Sequence, residues 1–343
     1  MRPLPAPTSL VLSFLLGMFL PLSAAIQAAY AESITHVPDA HLQTIRAILE
    51  SPDDQIDLAK AKLAIDHMID PGIDIAKNLK QLDAIAAKVK SQLPARATSR
   101  QKLDALRSYI YQAGPWNANR PFHYDLDDPL GQNIRNKLLP NYLATRKGNC
   151  VSMPLLFIVL GQKLGIDVTA STAPKHIFVK YRDDAGVYYN LETTSGAGFT
   201  RDVWMQQQNP MTAEALANGI YMQPLTKKET VVVMAGTLLE WYGQQDQEEY
   251  RIALASLTLA HYPKYVLAML HTASAYYRLR QRHFVSKYPM PRDIPEEQRP
   301  YFMQLDQGMR QWRGKAEALG WRERDETANK DYLQRVNHAK SAQ

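Results

Sequence analysis

The stretch that most constrains this chain runs from residue 150 to 164, Cys-Val-Ser-Met-Pro-Leu-Leu-Phe-Ile-Val-Leu-Gly-Gln-Lys-Leu, and stops at Gly165. It suits a helix with a glycine stop, and a helix this apolar has to be buried. Pro154 must then sit in its first turn, where backbone amides lack intrahelical partners anyway. The predicted helix therefore begins at or just before Cys150. A chain of 343 residues, 45% hydrophobic, has enough apolar material to surround it, in two or three small domains.

The residues before this helix read as further helices. Leu79, Leu82, Ile85, Ala86 and Val89 fall on one face, and Leu103, Leu106, Tyr109 and Ile110 mark another helix ending at Gly114-Pro115. Ser51-Pro52-Asp53 and Asp70-Pro71-Gly72 are the breaks. Trp116 to Pro140 is irregular and polar, with Trp116, Phe122 and Tyr124 as candidates to line a cleft. After Gly165 come three extended runs, 167–172, 177–181 and 187–191. The last two flank Arg182-Asp183-Asp184-Ala185-Gly186, which predicts a β-hairpin. From Trp204 onward the pattern is again helical, interrupted by Pro289, Pro291 and Pro295. Tyr242 and Tyr276 lie 34 residues apart, which leaves helical hairpins and tetratricopeptide-like repeats both open.

Export follows from the N-terminus. Arg2, the apolar run Leu10 to Leu22 and Ala29-Tyr30-Ala31 read as a secretory signal over residues 1–31, with an uncleaved anchor as the other reading. A spanning helix needs about 20 apolar residues, and no segment after the signal reaches that. The expected location is periplasmic or secreted. The net charge of +6 is dispersed along the chain, so no nucleic-acid partner is expected.

Exported chains usually pair their cysteines, and this one has a single Cys. A lone buried thiol is commonly packing, but the surroundings of Cys150 point elsewhere. A helix start and a nearby imidazole both favour thiolate. Gly148-Asn149 permits a tight entry and leaves amides free for an oxyanion, so Asn149 is assigned to the oxyanion end of the helix. Arg146 and Lys147 add positive charge or simply form a solvated turn. If the hairpin turn centres on Asp184, opposed residue numbers sum to about 368 and His176 faces Glu192. Glu192 could then orient the imidazole, with Asn190 on the same face as the alternative orienter.

These residues resemble the transglutaminase-like superfamily. Tyr142-Leu143-Ala144-Thr145-Arg146-Lys147-Gly148-Asn149-Cys150 is similar to its approach to the nucleophile, and Lys175-His176-Ile177-Phe178-Val179 to its histidine strand. Asn190-Leu191-Glu192-Thr193-Thr194 resembles its Asp-Pro-Thr segment, with Glu192 in the place of the acid. The helices from Ile56 to Gln112 look like those of the bacterial SirB-type branch, many of whose members lack the cysteine. The resemblance implies a Cys150, His176, Glu192 catalytic set that acts on peptide-type amides through a thioester, with water or an amine as acceptor.

Other chemistry is poorly represented. There is no His-Glu-x-x-His helix, Walker loop or Gly-x-Ser-x-Gly elbow. Asp125, Asp127 and Asp128 lack the glycine and distal glutamate of a calcium loop. His123 is a rival base with no nucleophile or orienter at comparable spacing, and Gly196-Ala197-Gly198 reads as a loop. No metal or cofactor is expected. The expected fold is α+β, a papain-like transglutaminase core over 101–205 between a helical N-terminal region, 32–100, and a helical C-terminal region, 206–343. The expected partner is a peptide or protein substrate, and the C-terminal helices offer a protein-docking surface. The alternative is a non-catalytic binding or scaffold protein that uses the same fold.

Overall fold

The computed structural model describes residues 40–323 and 333–334. The signal segment lies outside the described residues. Four helices open the fold: α1 (Ala40–Glu50), α2 (Leu58–Ile69), α3 (Ile75–Lys90) and α4 (Ser99–Tyr111). Their starts are written in the sequence. Asp57 and Asp74 side chains accept first-turn amides of α2 and α3, and Thr98 with Gln101 forms a capping box on α4. The breaks at Pro52 and Pro71 fall between helices, as predicted. Leu82, Ile85, Ala86 and Val89 are buried on α3, and Leu103, Leu106, Tyr109 and Ile110 on α4.

The irregular stretch that follows contains the two-residue β1 (His123–Tyr124). Phe122 does not line a cleft: it is 3% exposed and packs edge-on against Tyr142. Helix α5 (Leu139–Thr145) carries Pro140 in its first turn. Its start is held from below by a wholly buried ion pair on α2, Lys62 with Asp66. Asp66 accepts the Leu139 amide at 2.8 Å and Lys62 donates to the Lys137 carbonyl at 2.9 Å, so both buried charges find further partners. Strand β2 (Lys147–Gly148) pairs parallel with β1. Then comes α6 (Ser152–Leu164), buried along nearly its whole length and stopped by Gly165 at φ +65°.

An antiparallel sheet of β3 (Val168–Ala173), β4 (His176–Arg182), β5 (Tyr188–Glu192) and β6 (Gly198–Thr200) packs beside α6 in the order β3-β4-β5-β6. Two expectations change here. The β4–β5 register pairs Val179 with Leu191 and Lys180 with Asn190, a sum of 370 rather than about 368. The turn thus centres on Ala185, because Gly186, at φ +84°, and the Asp183 carboxylate, which accepts the Ala185 and Val187 amides, close a wider loop. Gly198 is the first residue of β6 rather than part of a loop. Three residues that begin with glycine carry almost no strand signal of their own. The free side of β3 is covered, since the Met222 and Leu225 amides donate to Thr172 and Ala170 carbonyls.

The remaining helices are α7 (Asp202–Gln208), α8 (Ala213–Ala217), α9 (Lys227–Gln244), α10 (Glu248–His261), α11 (Val266–Arg280) and α12 (Arg299–Ala318). Helix α9 packs on α2 and on β3, and α10, α11 and α12 stack in turn. Tyr242 and Tyr276 fall on α9 and α11, with α10 between them. One hydrophobic core runs from Ile45 to Ala316, so the N-terminal helices, sheet and C-terminal helices stabilise one another. Among the described residues no helix is long and apolar enough to cross a membrane.

Candidate active site

Cys150 sits in the turn between β2 and α6, at the point where the chain stops pairing with β1 and begins to coil. The formal helix starts two residues later than the reading at Cys150, at Ser152. Helical bonding nevertheless starts earlier, because the Met153 amide donates to the Asn149 carbonyl at 3.0 Å. Asn149 behaves as the cap. Its side-chain oxygen accepts the Val151 amide at 3.0 Å and the Ser152 amide at 3.3 Å. Its own amide donates to Ser152 Oγ at 3.1 Å, and Ser152 Oγ donates to the Asn136 carbonyl at 2.7 Å. Asn149 is therefore fully buried and fixes the turn. The Val151 and Ser152 amides are taken, and among the described residues the Cys150 amide alone of this turn has no acceptor.

Gly148 is required for this entry. A Cβ there would lie 2.6 Å from Tyr142 Cδ2 and 2.7 Å from Ser152 Oγ. Cys150 is partly exposed. Its sulfur lies 3.9 Å from the Lys175 carbonyl, at the tip of the tight β3–β4 turn where Lys175 takes φ +59°. The same turn delivers His176 as the first residue of β4, opposite Ala173.

The His176 Nε2 lies 2.8 Å from Glu192 Oε2, at a side-chain exposure of 13% for the histidine and 4% for the glutamate. Nε2 is thus taken by Glu192, and Cys150 lies near enough to the ring to raise its proton affinity. Burial pushes the imidazole pKa down, but the neighbouring Cys150 and the hydrogen bond and charge of Glu192 outweigh it and raise the pKa to about 10. Burial likewise opposes ionisation of Glu192. The hydrogen bond and charge of His176, with two hydrogen bonds from Thr194, outweigh it and hold the carboxyl below its ordinary value.

The predicted contact between His176 and Glu192 is thus present, but by a different path. Continuing the observed register sets Glu192 opposite Phe178, so His176 and Glu192 meet as diagonal neighbours on one face. A two-residue shift keeps side chains on the same face, whereas a one-residue shift would have separated them. Asn190 is placed elsewhere. Its Oδ1 accepts Lys180 Nζ at 2.8 Å and its Nδ2 donates to Asp202 Oδ1 at 2.6 Å, because the register puts it opposite Lys180. It is a strut of the sheet and does not touch His176.

The remaining candidates are accounted for structurally. The Arg146 guanidinium lies 4.5 Å above the Phe122 ring, and Lys147 pairs with Asp127 at 3.2 Å. Asn136 donates to Asp125 at 2.9 Å and Asp128 at 3.0 Å, and among the described residues no cluster of metal-ligating side chains occurs. His123 is exposed at the start of β1. Sequence reasoning missed Thr194, which lies beyond the strand. Its signals were its place in the segment that resembles Asp-Pro-Thr and its position two residues after an acidic strand end, where amides of a tight turn are free to bind a carboxylate.

Residues 76–235 match the family model described as the Transglutaminase-like superfamily. That match carries the superfamily and not the SirB-type branch. The chain is also similar to F-box only protein 21 of Homo sapiens and of Pongo abelii. Each is 23% identical over 268 residues, which is 69% of this chain and 41% and 42% of those proteins. The chain thus spans about two-fifths of the length of the curated relatives it matches. No solved structure matches it. Cys150, His176 and Glu192 all lie inside the matched segment, and residues 76–235 of this α+β chain are a transglutaminase-like domain flanked by helices.

Proposed function

We propose that this chain is an exported cysteine enzyme that cleaves or transfers peptide-type acyl groups through a thioester on Cys150. The observation that supports it most is a largely buried imidazole bonded to a buried carboxylate beside the Cys150 turn. The 2.8 Å bond to Glu192 occupies Nε2, and the Cys150 sulfur lies 3.9 Å from the carbonyl of Lys175, the residue before His176. Burying a histidine and a glutamate against each other across adjacent strands costs desolvation, and a stable sheet does not need it.

In this reading the Cys150 thiolate attacks the substrate carbonyl carbon, a C–S bond forms, and the carbonyl oxygen takes the negative charge. The Cys150 amide, which has no acceptor among the described residues, would hold that oxygen. The imidazolium of His176 gives its proton to the leaving nitrogen as the C–N bond breaks, which leaves a thioester. Neutral His176 then takes a proton from water or an acceptor amine, whose attack releases the acyl group and restores the thiolate. Glu192 keeps the ring oriented and its charged form stable throughout. Export rests on Leu10 to Leu22 and Ala29-Tyr30-Ala31, and would place the enzyme, with its peptide or protein substrate, in the periplasm or outside the cell.

The test is covalent trapping. The purified chain is mixed with an activated acyl ester, quenched in acid and digested, and the acyl mass is located. The expected result is one acyl group on Cys150, lost in Cys150→Ala and turned over far more slowly in His176→Ala. Absence of any Cys150 adduct in the folded protein would favour a binding protein built on the same domain.

A further inference from the structure

We propose that Thr194 is a positioning residue of this site: it fixes one oxygen of Glu192 so that the other is aimed at His176. This rests on the reading of Cys150, His176 and Glu192 as a reactive set, and it concerns a residue outside that set. The geometry divides the carboxylate cleanly. Oε1 accepts both the Thr194 amide at 2.9 Å and the Thr194 hydroxyl at 2.6 Å, whereas Oε2 is left to His176 Nε2 at 2.8 Å.

A glutamate needs such a device here. Its carboxylate swings about three side-chain torsions, and in this register it has to reach along a diagonal rather than straight across. Ordering it without help would cost rotamer freedom and leave one buried oxygen unbonded. Thr194 meets both needs from one residue, because Glu192 is the last residue of β5 and the chain turns at once into the short 3₁₀ turn Thr193–Ser195. The turn frees the Thr194 amide and presents its hydroxyl to the same oxygen. Thr193, one position earlier, is fully buried and its hydroxyl has no partner, so it does not share this work.

The consequence is directional. With the hydroxyl removed, only the amide restrains Oε1, the Glu192–His176 bond loosens, and His176 gives up its proton at lower pH. A hydrogen bond to a charged group is strong enough for this to change the imidazole proton affinity by about three- to tenfold.

The experiment follows the His176 ring nitrogens by NMR titration in the full chain as native protein, Thr194→Val and Thr194→Ser. Thr194→Val, which keeps the shape, should titrate at lower pH by that factor, and Thr194→Ser, which keeps the hydroxyl, should titrate like the native chain. The native protein supplies a second readout that no folding defect can remove: the Thr194 amide proton should shift with the same midpoint as His176. A native-like titration in Thr194→Val, or a Thr194 amide insensitive to the His176 step, overturns the assignment. Both readouts remain measurable if acyl trapping on Cys150 fails, so the two claims fall separately.

Discussion

Glu192 reaches His176 across a diagonal of the sheet: Val179 faces Leu191, which sets Glu192 beside Phe178, yet its Oε2 lies 2.8 Å from His176 Nε2. The extra methylene of glutamate over aspartate spans that offset. Glu192→Asp, although it restores the acid of the resembled Asp-Pro-Thr segment, should therefore lower kcat/KM by about tenfold or more, with Glu192→Gln at least as severe. Equal or higher activity in Glu192→Asp would mean that the diagonal reach is immaterial.

The pair also sets a pH window for stability. The pKa of His176 is raised from 6.5 to about 10 in the fold, so its contribution is complete below about pH 6.5 and is lost as pH rises toward about 10. The pKa of Glu192 is lowered from 4.5, so its contribution is present above that value and fades in acid. The Tm difference between the native chain and Glu192→Gln should accordingly be greatest near about pH 5 to 7 and shrink toward about pH 10. A difference that is flat over this range would contradict the pairing.

Gly148 couples the backbone to the Cys150 turn. In Gly148→Ala the new methyl group has to displace the Tyr142 ring or Ser152 Oγ, and overpacking of this kind costs about 1–3 kcal/mol. Because Ser152 Oγ also holds the Asn149 amide, the Cys150 turn should move with it. Denaturant unfolding should show the loss of stability, and Cys150 acylation should fall by more than stability alone explains.

Asp66 is the structural counterpart. It and Lys62 are wholly buried, and burial raises the Asp66 pKa against the opposing pull of Lys62. Asp66→Ala leaves the Lys62 charge and the Leu139 amide unpaired, with an expected loss of about 3–5 kcal/mol in urea unfolding. A loss below about 1 kcal/mol would show that the pair is not what anchors α5.

The sequence was legible where local chemistry decides the outcome. Pro154 in a first turn and Gly165 after an apolar run marked the buried helix near its observed place. The contact of His176 with Glu192 could be read because strand alternation is robust to an even register error. Turn geometry was not legible to one residue, since Asp183 and Gly186 close a wider loop than Asp184 alone implies. Asn190 was misassigned for the same reason, because only the true register brings Lys180 to face it. Strand β6 depends on backbone turned by tertiary packing, which leaves little local pattern, and the contact of Thr194 with Glu192 depends on the 3₁₀ turn that follows β5.

The most direct test of the site is the rate of Cys150 alkylation by iodoacetamide between about pH 5 and 9, in the native chain and in His176→Ala. The proposed pairing with the His176 imidazolium predicts that Cys150 reacts readily below pH 7 and that His176→Ala slows the reaction by about tenfold or more. A folded native chain whose Cys150 is inert below pH 7, or reacts identically without His176, would contradict the site.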